Sequence, residues 1–150
     1  MRNVWRFMVA GVLTTSVTVG AQQSSQLVEV YKTPTCGCCG KWVEHLRANG
    51  FTVRTTDLES TGPVQTRHRV PPEVRSCHTA LVGGYVVEGH VPATEVKRLV
   101  KERPRIAGIA VAGMPIGSPG MEVAGTEPQP YYVVSFDRAG QIEVFATYGR

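Results

Sequence analysis

Hydrophobic and polar positions alternate along two segments near the start of the chain, with a helical pattern between them. Residues 27–31 alternate and are rich in β-forming side chains, and residues 51–56 have the same character, so both predict strands. Apolar side chains recur at helical spacing from Trp42 to Leu46, which predicts a helix over about residues 38–49. A strand, a helix and a strand joined by short connections predict a right-handed parallel crossover.

Later segments predict a hairpin, a helix and a second hairpin. In chain order, the segments are residues 79–82 with 85–88, residues 92–102, and residues 131–136 with 142–146. Gly83-Gly84 supplies the positive φ angles of a tight hairpin turn. The order βαβ, then β-hairpin and helix, matches an α/β, thioredoxin-like single domain with a C-terminal β-hairpin extension.

The first 21 residues have the pattern of a secretory signal. Arg2 and Arg6 precede an uncharged stretch over residues 7–19, and Val19-Gly20-Ala21 forms a small-residue cleavage site. We expect cleavage to leave residues 22–150 as a domain without a membrane span, located in the bacterial periplasm. Without those two arginines, 14 basic residues face 12 acidic ones, so charge gives no argument for binding nucleic acid or an anionic membrane.

Three cysteines lie within four residues, in Cys36-Gly37-Cys38-Cys39, where the first strand turns into the helix. The unpaired N–H groups at the start of a helix stabilise thiolates, which serve either metal binding or thiol exchange. Two structural disulfides are the simpler alternative, but adjacent Cys38 and Cys39 cannot pair without a strained ring. A Cys36–Cys39 bond, with a second bond to Cys77, stays open.

Topology predicts that distant residues join these cysteines. If residues 79–82 run antiparallel to the first strand, Cys77 and His78 lie at the end of the sheet that carries the cysteine turn. The hairpin then returns His90 to the same end. Because side chains alternate along a strand, we expect only one of Cys77 and His78 to reach the site. Cys77 and His90 are the predicted additional ligands.

Two methionines lie on a loop rich in Gly and Pro, at Met114 and Met121. Thioether and thiolate donors together favour Cu(I) over zinc and harder cations. The alternative is that both methionines cover an apolar patch, since methionine is a common gap filler.

Four ordered motifs resemble the CopG copper-resistance proteins and their metal-binding relatives. They are Tyr31-Lys-Thr-Pro-Thr-Cys-Gly-Cys-Cys-Gly-Lys-Trp42, Ser76-Cys-His-Thr79, Glu88-Gly-His-Val-Pro92 and Gly113-Met-Pro-Ile-Gly-Ser-Pro-Gly-Met-Glu122. The resemblance implies a periplasmic thioredoxin-like protein that binds several copper ions and acts in copper resistance, with Cu(I)/Cu(II) redox chemistry. The implied metal ligands are Cys36, Cys38, Cys39, Cys77, His90, Met114 and Met121.

Several other functions compete with this interpretation. A mononuclear zinc site would use a tetrahedral set of the same donors. Cys36-Gly-Cys-Cys39 contains the C-x-x-C of a thiol–disulfide oxidoreductase, although Cys77 occupies the region where such exchangers carry a cis-proline. Arsenate reduction is disfavoured because no arginine closely follows Cys36. A non-redox chaperone or buffer that passes Cu(I) to a transporter or another periplasmic copper protein would use the same ligands.

Overall fold

The computed structural model describes residues 26–149, and the predicted strands and helices appear in the predicted order. The predicted signal, residues 1–21, lies outside this range. The strands are β1 (Leu27–Lys32), β2 (Thr52–Asp57), β3 (His78–Val82), β4 (Tyr85–Glu88), β5 (Gly108–Ala110), β6 (Tyr131–Phe136) and β7 (Ile142–Tyr148). The helices are α1 (Gly37–Ala48), α2 (Gly62–Arg67) and α3 (Ala93–Glu102), with a short 3₁₀ helix at Pro72–Val74.

One seven-stranded sheet runs through the domain in the order β2-β1-β3-β4-β5-β6-β7. Strands β1 and β2 pair in parallel, whereas β3 runs antiparallel to both β1 and β4. These directions confirm the crossover and the first hairpin. They place the end of β1, the start of β3 and the end of β4 at one end of the sheet, as the thioredoxin-like interpretation requires.

The core lies on both faces of the sheet because neighbouring residues of a strand point in opposite directions. On one face, Trp42 and Leu46 of α1 and Leu99 of α3 pack against strand residues that include Val87 and Ile109. On the other face, the packed residues are Val70, Val74, Val86, Ala110 and Phe136. Helices α1 and α3 are therefore each fixed to the sheet by a buried apolar side.

The sequence did not predict β5. This strand lies in the Gly- and Pro-rich segment, pairs in parallel with β4 and antiparallel with β6, and so continues the sheet into the C-terminal hairpin. A Cβ at Gly108 would lie 2.3 Å from the Val86 carbonyl oxygen and 2.7 Å from Phe136 Cζ, so only glycine fits there. The predicted C-terminal extension is present, and β5 makes it part of the main sheet.

No helix within residues 26–149 combines the length and apolar character needed to cross a bilayer.

Candidate metal centre

The three clustered cysteines lie at the start of α1. Cys36 precedes the helix as its N-cap, and Cys38 and Cys39 lie in the first turn. Cys36 and Cys39 form a disulfide, with their Cα atoms 5.3 Å apart, while Cys38 and Cys77 are free thiols. The Cys36 and Cys38 sulfurs are 3.5 Å apart. The site is therefore in an oxidised form, with two thiols available and two joined.

Cys77 lies immediately before β3 and completes the sulfur cluster. The four Sγ atoms of Cys36, Cys38, Cys39 and Cys77 all lie within 4.8 Å of one another. The distance is short because the antiparallel pairing of β1 with β3 sets Lys32 opposite His78, next to both cysteine segments. The predicted convergence of these four residues is what the fold produces.

Two buried imidazoles join the cluster through Cys77. Its Sγ lies 3.4 Å from His78 Nδ1 and 3.3 Å from His90 Nε2, and one ligand atom from each of the three residues fits within 4.8 Å. The four-cysteine group and the Cys77–His78–His90 group thus share one sulfur. A metal-binding site built from both groups offers four sulfur and two nitrogen donors.

The tautomer of His90 follows from its second hydrogen bond. Its Nδ1 lies 2.9 Å from the Pro119 carbonyl oxygen, which can only accept, so Nδ1 carries the proton. Nε2, which faces Cys77, therefore has a free lone pair. Histidine ligands commonly use this arrangement, in which one ring nitrogen donates to a carbonyl and the other binds the metal.

His78 is the site residue that sequence reasoning missed. Neighbouring residues point to opposite faces only when both lie within a strand. Strand β3 begins at His78, so Cys77 precedes the strand and both side chains can reach the site. The His78 ring packs against Trp42, with 4.4 Å between ring centroids, and its Nε2 is buried without a hydrogen-bond partner. The signal in the sequence was its position directly after Cys77.

Burial favours the neutral forms of His78, His90 and the Cys77 thiol when no metal is bound. It lowers the pKa of His78 to about 3, with a smaller contribution from nearby His90. Burial also lowers the pKa of His90. The Cys77 thiol has a pKa raised to about 11, first by burial and then by the proximity of Cys38. Metal binding at Cys77 near neutral pH therefore has to release a proton.

The loop that carries the two methionines lies against the site. The Ser76 hydroxyl donates to the Gly113 carbonyl oxygen at 2.9 Å, next to Met114, and the Pro119 carbonyl binds His90 close to Met121. The Met114 side chain is 52 % exposed. Hydrogen bonds from the Ser76 and His90 side chains to two loop carbonyl groups therefore hold the loop beside the cluster, and Met114 is exposed.

Glu88 is a buried carboxyl group at the end of β4, two residues before His90. Its pKa is raised to about 7 by burial. The two histidines bind protons less readily in the folded state, so their contribution to stability is lost as the pH falls below about 6.5. Glu88 binds its proton more tightly in the folded state, so acidification from about pH 7 towards 4.5 adds stability. The two effects oppose each other.

We expect the variant Glu88→Gln to expose the histidine effect. From about pH 7.5 to about pH 5.5, the loss from His78 and the gain from Glu88 are each about 1–2 kcal/mol, so the wild-type free energy of unfolding changes little. In Glu88→Gln only the histidine loss remains, and stability falls by at least about 1 kcal/mol, with His90 adding in the same direction. Denaturant unfolding of the metal-free disulfide form at both pH values measures this. An equal pH dependence in the two proteins would contradict the raised pKa of Glu88.

The fold and the cluster define a mixed α/β single-domain protein with a group of cysteines and imidazoles that could hold a metal ion. Two solved structures are similar to it, titled copper resistance protein copG, form 2 and form 1. Form 2 has a TM-score of 0.79 and 43% sequence identity, over 83% of this chain and 99% of its own. Form 1 has a TM-score of 0.78 and 43% identity, over 84% and 99%. The chain belongs to the family of the CopG copper resistance proteins.

Two further comparisons complete this result. Residues 74–121 match a family model described as "Protein of unknown function, DUF411". That segment includes Cys77, His78, His90 and both loop methionines. None of the curated proteins shows a significant sequence match to the chain.

Proposed function

We propose that this protein binds copper at the shared cluster and acts in copper resistance in the periplasm. One observation carries the proposal: four cysteine sulfurs lie within 4.8 Å of one another, and one of them, the sulfur of Cys77, also lies within 4.8 Å of two buried histidines. The name of its similar structures, copper resistance protein, supports the choice of metal. The proposed ligands are Cys36, Cys38, Cys39, Cys77 and His90, with His78 added by the geometry and Met114 and Met121 from the adjacent loop.

The donor chemistry fits several Cu(I) ions better than one ion of zinc. Structural zinc takes four donors in a tetrahedron, whereas this site has four sulfurs and two imidazoles at short range. Thiolates held this close repel one another unless cations lie between them. Soft sulfur donors select Cu(I), and bridging sulfurs can hold more than one such ion.

The chain's own residues prepare the site for a soft cation. Pro119 fixes the tautomer of His90 so that Nε2 faces Cys77. Trp42 covers the ring of His78, and its Nε1–H donates to the Val91 carbonyl oxygen at 2.8 Å, which fixes α1 to the segment after His90. Copper, when bound, supplies a one-electron Cu(I)/Cu(II) couple, and we propose redox activity as part of the function.

Location and partners follow from the same proposal. The predicted signal over residues 1–21 would deliver the domain to the periplasm. Copper transporters or other periplasmic copper proteins are the proposed sources and recipients of the ion. A chaperone or buffer role would use the same ligands without redox turnover.

Counting copper on the reduced protein tests the proposal. The mature protein is reduced, handled without oxygen, loaded with Cu(I) and passed over a column, and the copper per chain is measured. We expect more than one tightly held copper, because the cluster has six strong donors. Cys38→Ser and Cys77→Ser should each lower that number, since each removes one sulfur from the four-cysteine group.

Ser135→Ala is the matched control for these two variants. It removes a hydroxyl from β6, three strands away from β3 in the sheet, and should leave copper binding unchanged. One zinc per chain held in preference to copper would contradict the proposal. Loss of all copper to a modest chelator would contradict it as well. A loaded sample without a reversible electrochemical couple would remove the redox part and leave storage.

The disulfide favours a second candidate, thiol–disulfide exchange. Cys36 and Cys39 form the C-x-x-C pair at the start of a helix, which is the position of the reactive pair in such enzymes. Cys38, 3.5 Å from Cys36, would compete for that bond and favour wrong pairings. Robust reduction of insulin by the metal-free protein would support this candidate over copper binding.

A further inference from the structure

Glu88 is fully buried and accepts hydrogen bonds on both carboxylate oxygens. Its Oε1 accepts from Gln65 Nε2 and from the Ser76 backbone N–H, both at 2.7 Å, and its Oε2 accepts from the Thr79 hydroxyl at 2.7 Å. In the described part of the chain, no lysine or arginine forms an ion pair with it. Burying a carboxyl group is costly unless its hydrogen bonds are satisfied, and here neutral donors satisfy it.

Gln65, on α2, binds both Glu88 and Ser76. Its Nε2 donates to Glu88 and also to the Ser76 carbonyl oxygen, at 3.0 Å. The N–H and the C=O of Ser76 are therefore both held, one by Glu88 and the other by Gln65. Two consecutive peptide groups directly before Cys77 are fixed in this way. We name these two side chains the Gln65–Glu88 clamp.

The clamp acts where Cys77 has little other support. Cys77 lies between the 3₁₀ helix Pro72–Val74 and the start of β3, so the regular pairing of β3 begins only at His78. Gly89 packs closely against Ser76, since a Cβ at Gly89 would lie 2.7 Å from Ser76 Oγ. The position of Ser76 is thus linked to the strand end that carries His90.

We propose that the Gln65–Glu88 clamp positions Cys77 for metal binding by fixing both peptide groups that precede it. This inference rests on the proposed copper site, and Gln65 and Glu88 are positioning residues that bind no metal themselves. Partners outside the ligand set that orient a ligand typically change metal affinity by about 10–100-fold. Loosening the clamp should therefore weaken copper binding through Cys77 alone.

Gln65→Met tests the clamp because methionine keeps an unbranched side chain and removes the amide. In copper affinity and thiol accessibility, Glu88→Gln should match wild type, because its amide oxygen still accepts from Ser76 and Gln65 while its nitrogen donates to Thr79. Tyr85→Phe is the matched control. It removes one side-chain hydrogen bond from the same strand, to the Pro104 carbonyl oxygen at 2.9 Å, at the opposite end of the sheet.

Thiol accessibility gives a readout without metal. In the disulfide form of Cys38→Ser, Cys77 is the one free thiol among the described residues. We expect Gln65→Met to raise the rate of Cys77 alkylation several-fold, because the loop opens more often, and Tyr85→Phe and Glu88→Gln to leave it unchanged. An unchanged rate in Gln65→Met, or an equal increase in Tyr85→Phe, would overturn the proposal.

Copper competition on a double-mutant cycle gives the second readout. Gln65→Met should lower Cu(I) affinity about tenfold or more in the wild-type background and leave it unchanged in the Cys77→Ser background. An equal loss in both backgrounds would show that Gln65 does not act through Cys77 and would overturn the clamp. Failure of the wild type to bind copper would instead refute the proposed function, and the alkylation result would still decide the clamp.

Discussion

Reducing the Cys36–Cys39 disulfide should raise the affinity for Cu(I) at least about 100-fold. Losing a metal ligand should lower the affinity more than losing a residue that only orients a ligand, which typically costs about 10–100-fold. The disulfide removes two of the four clustered sulfurs as thiolate donors. Only the thiolate is a strong ligand, so the oxidised site keeps Cys38, Cys77 and the two imidazoles. Competition against a Cu(I) chelator without oxygen, on reduced and oxidised samples, measures the difference.

The variant Cys36→Ser is the control for this effect. It cannot form the Cys36–Cys39 bond, so its copper binding should depend far less on prior reduction. It should also bind more weakly than the reduced wild type because it lacks one sulfur. If oxidised and reduced wild type bound equal amounts of copper with equal affinity, the four sulfurs would not act as one site.

Gly120→Ala should destabilise the domain by about 2–4 kcal/mol, from backbone strain together with overpacking. Gly120 has a φ of +88°, and a Cβ there would lie 2.8 Å from both the Cys38 carbonyl oxygen and the Trp42 backbone nitrogen. Backbone atoms cannot move aside as a side-chain tip can, so the loop has to leave α1. The adjacent Pro119 carbonyl would then release His90 Nδ1, and copper affinity should fall as well.

Gly125→Ala separates strain from crowding. Gly125 also has a positive φ, +75°, but no atom lies within 4 Å of the position that a Cβ would take there. We expect this variant to lose about 1–2 kcal/mol and to keep its copper affinity, because it carries only the cost of the left-handed backbone. Denaturant unfolding and chelator competition measure both variants. Equal losses would show that the close approach of Gly120 to α1 has no role in holding the loop.

Local pattern was enough to predict most of the fold. The alternation in β1 and the helical spacing from Trp42 to Leu46 are properties of neighbouring residues, and both elements appear where the pattern predicts them. Strand β5 has three residues, too few for a periodic signal, and its position depends on packing against Val86 and Phe136. Such contacts between distant residues leave no trace in a short window of sequence.

The candidate site was likewise predictable from sequence only in part. Cys36, Cys38 and Cys39 are visible from spacing alone, and the predicted topology was enough to bring Cys77 and His90 to them. His78 was missed because the start of β3 is uncertain by one residue from sequence, and one residue decides which side chains share a face. The Cys36–Cys39 disulfide stayed one alternative among several, since sequence carries no information on the oxidation state of a thiol.

Strand β5 also bears on what the C-terminal segment does for the rest of the domain. Pairing with β5 occupies the side of β4 that faces away from β3. Without the segment that follows α3, β4 would present unpaired N–H and C=O groups along an open sheet edge, a surface prone to self-association. The extension thus protects the strand that leads into His90 from pairing with a second molecule.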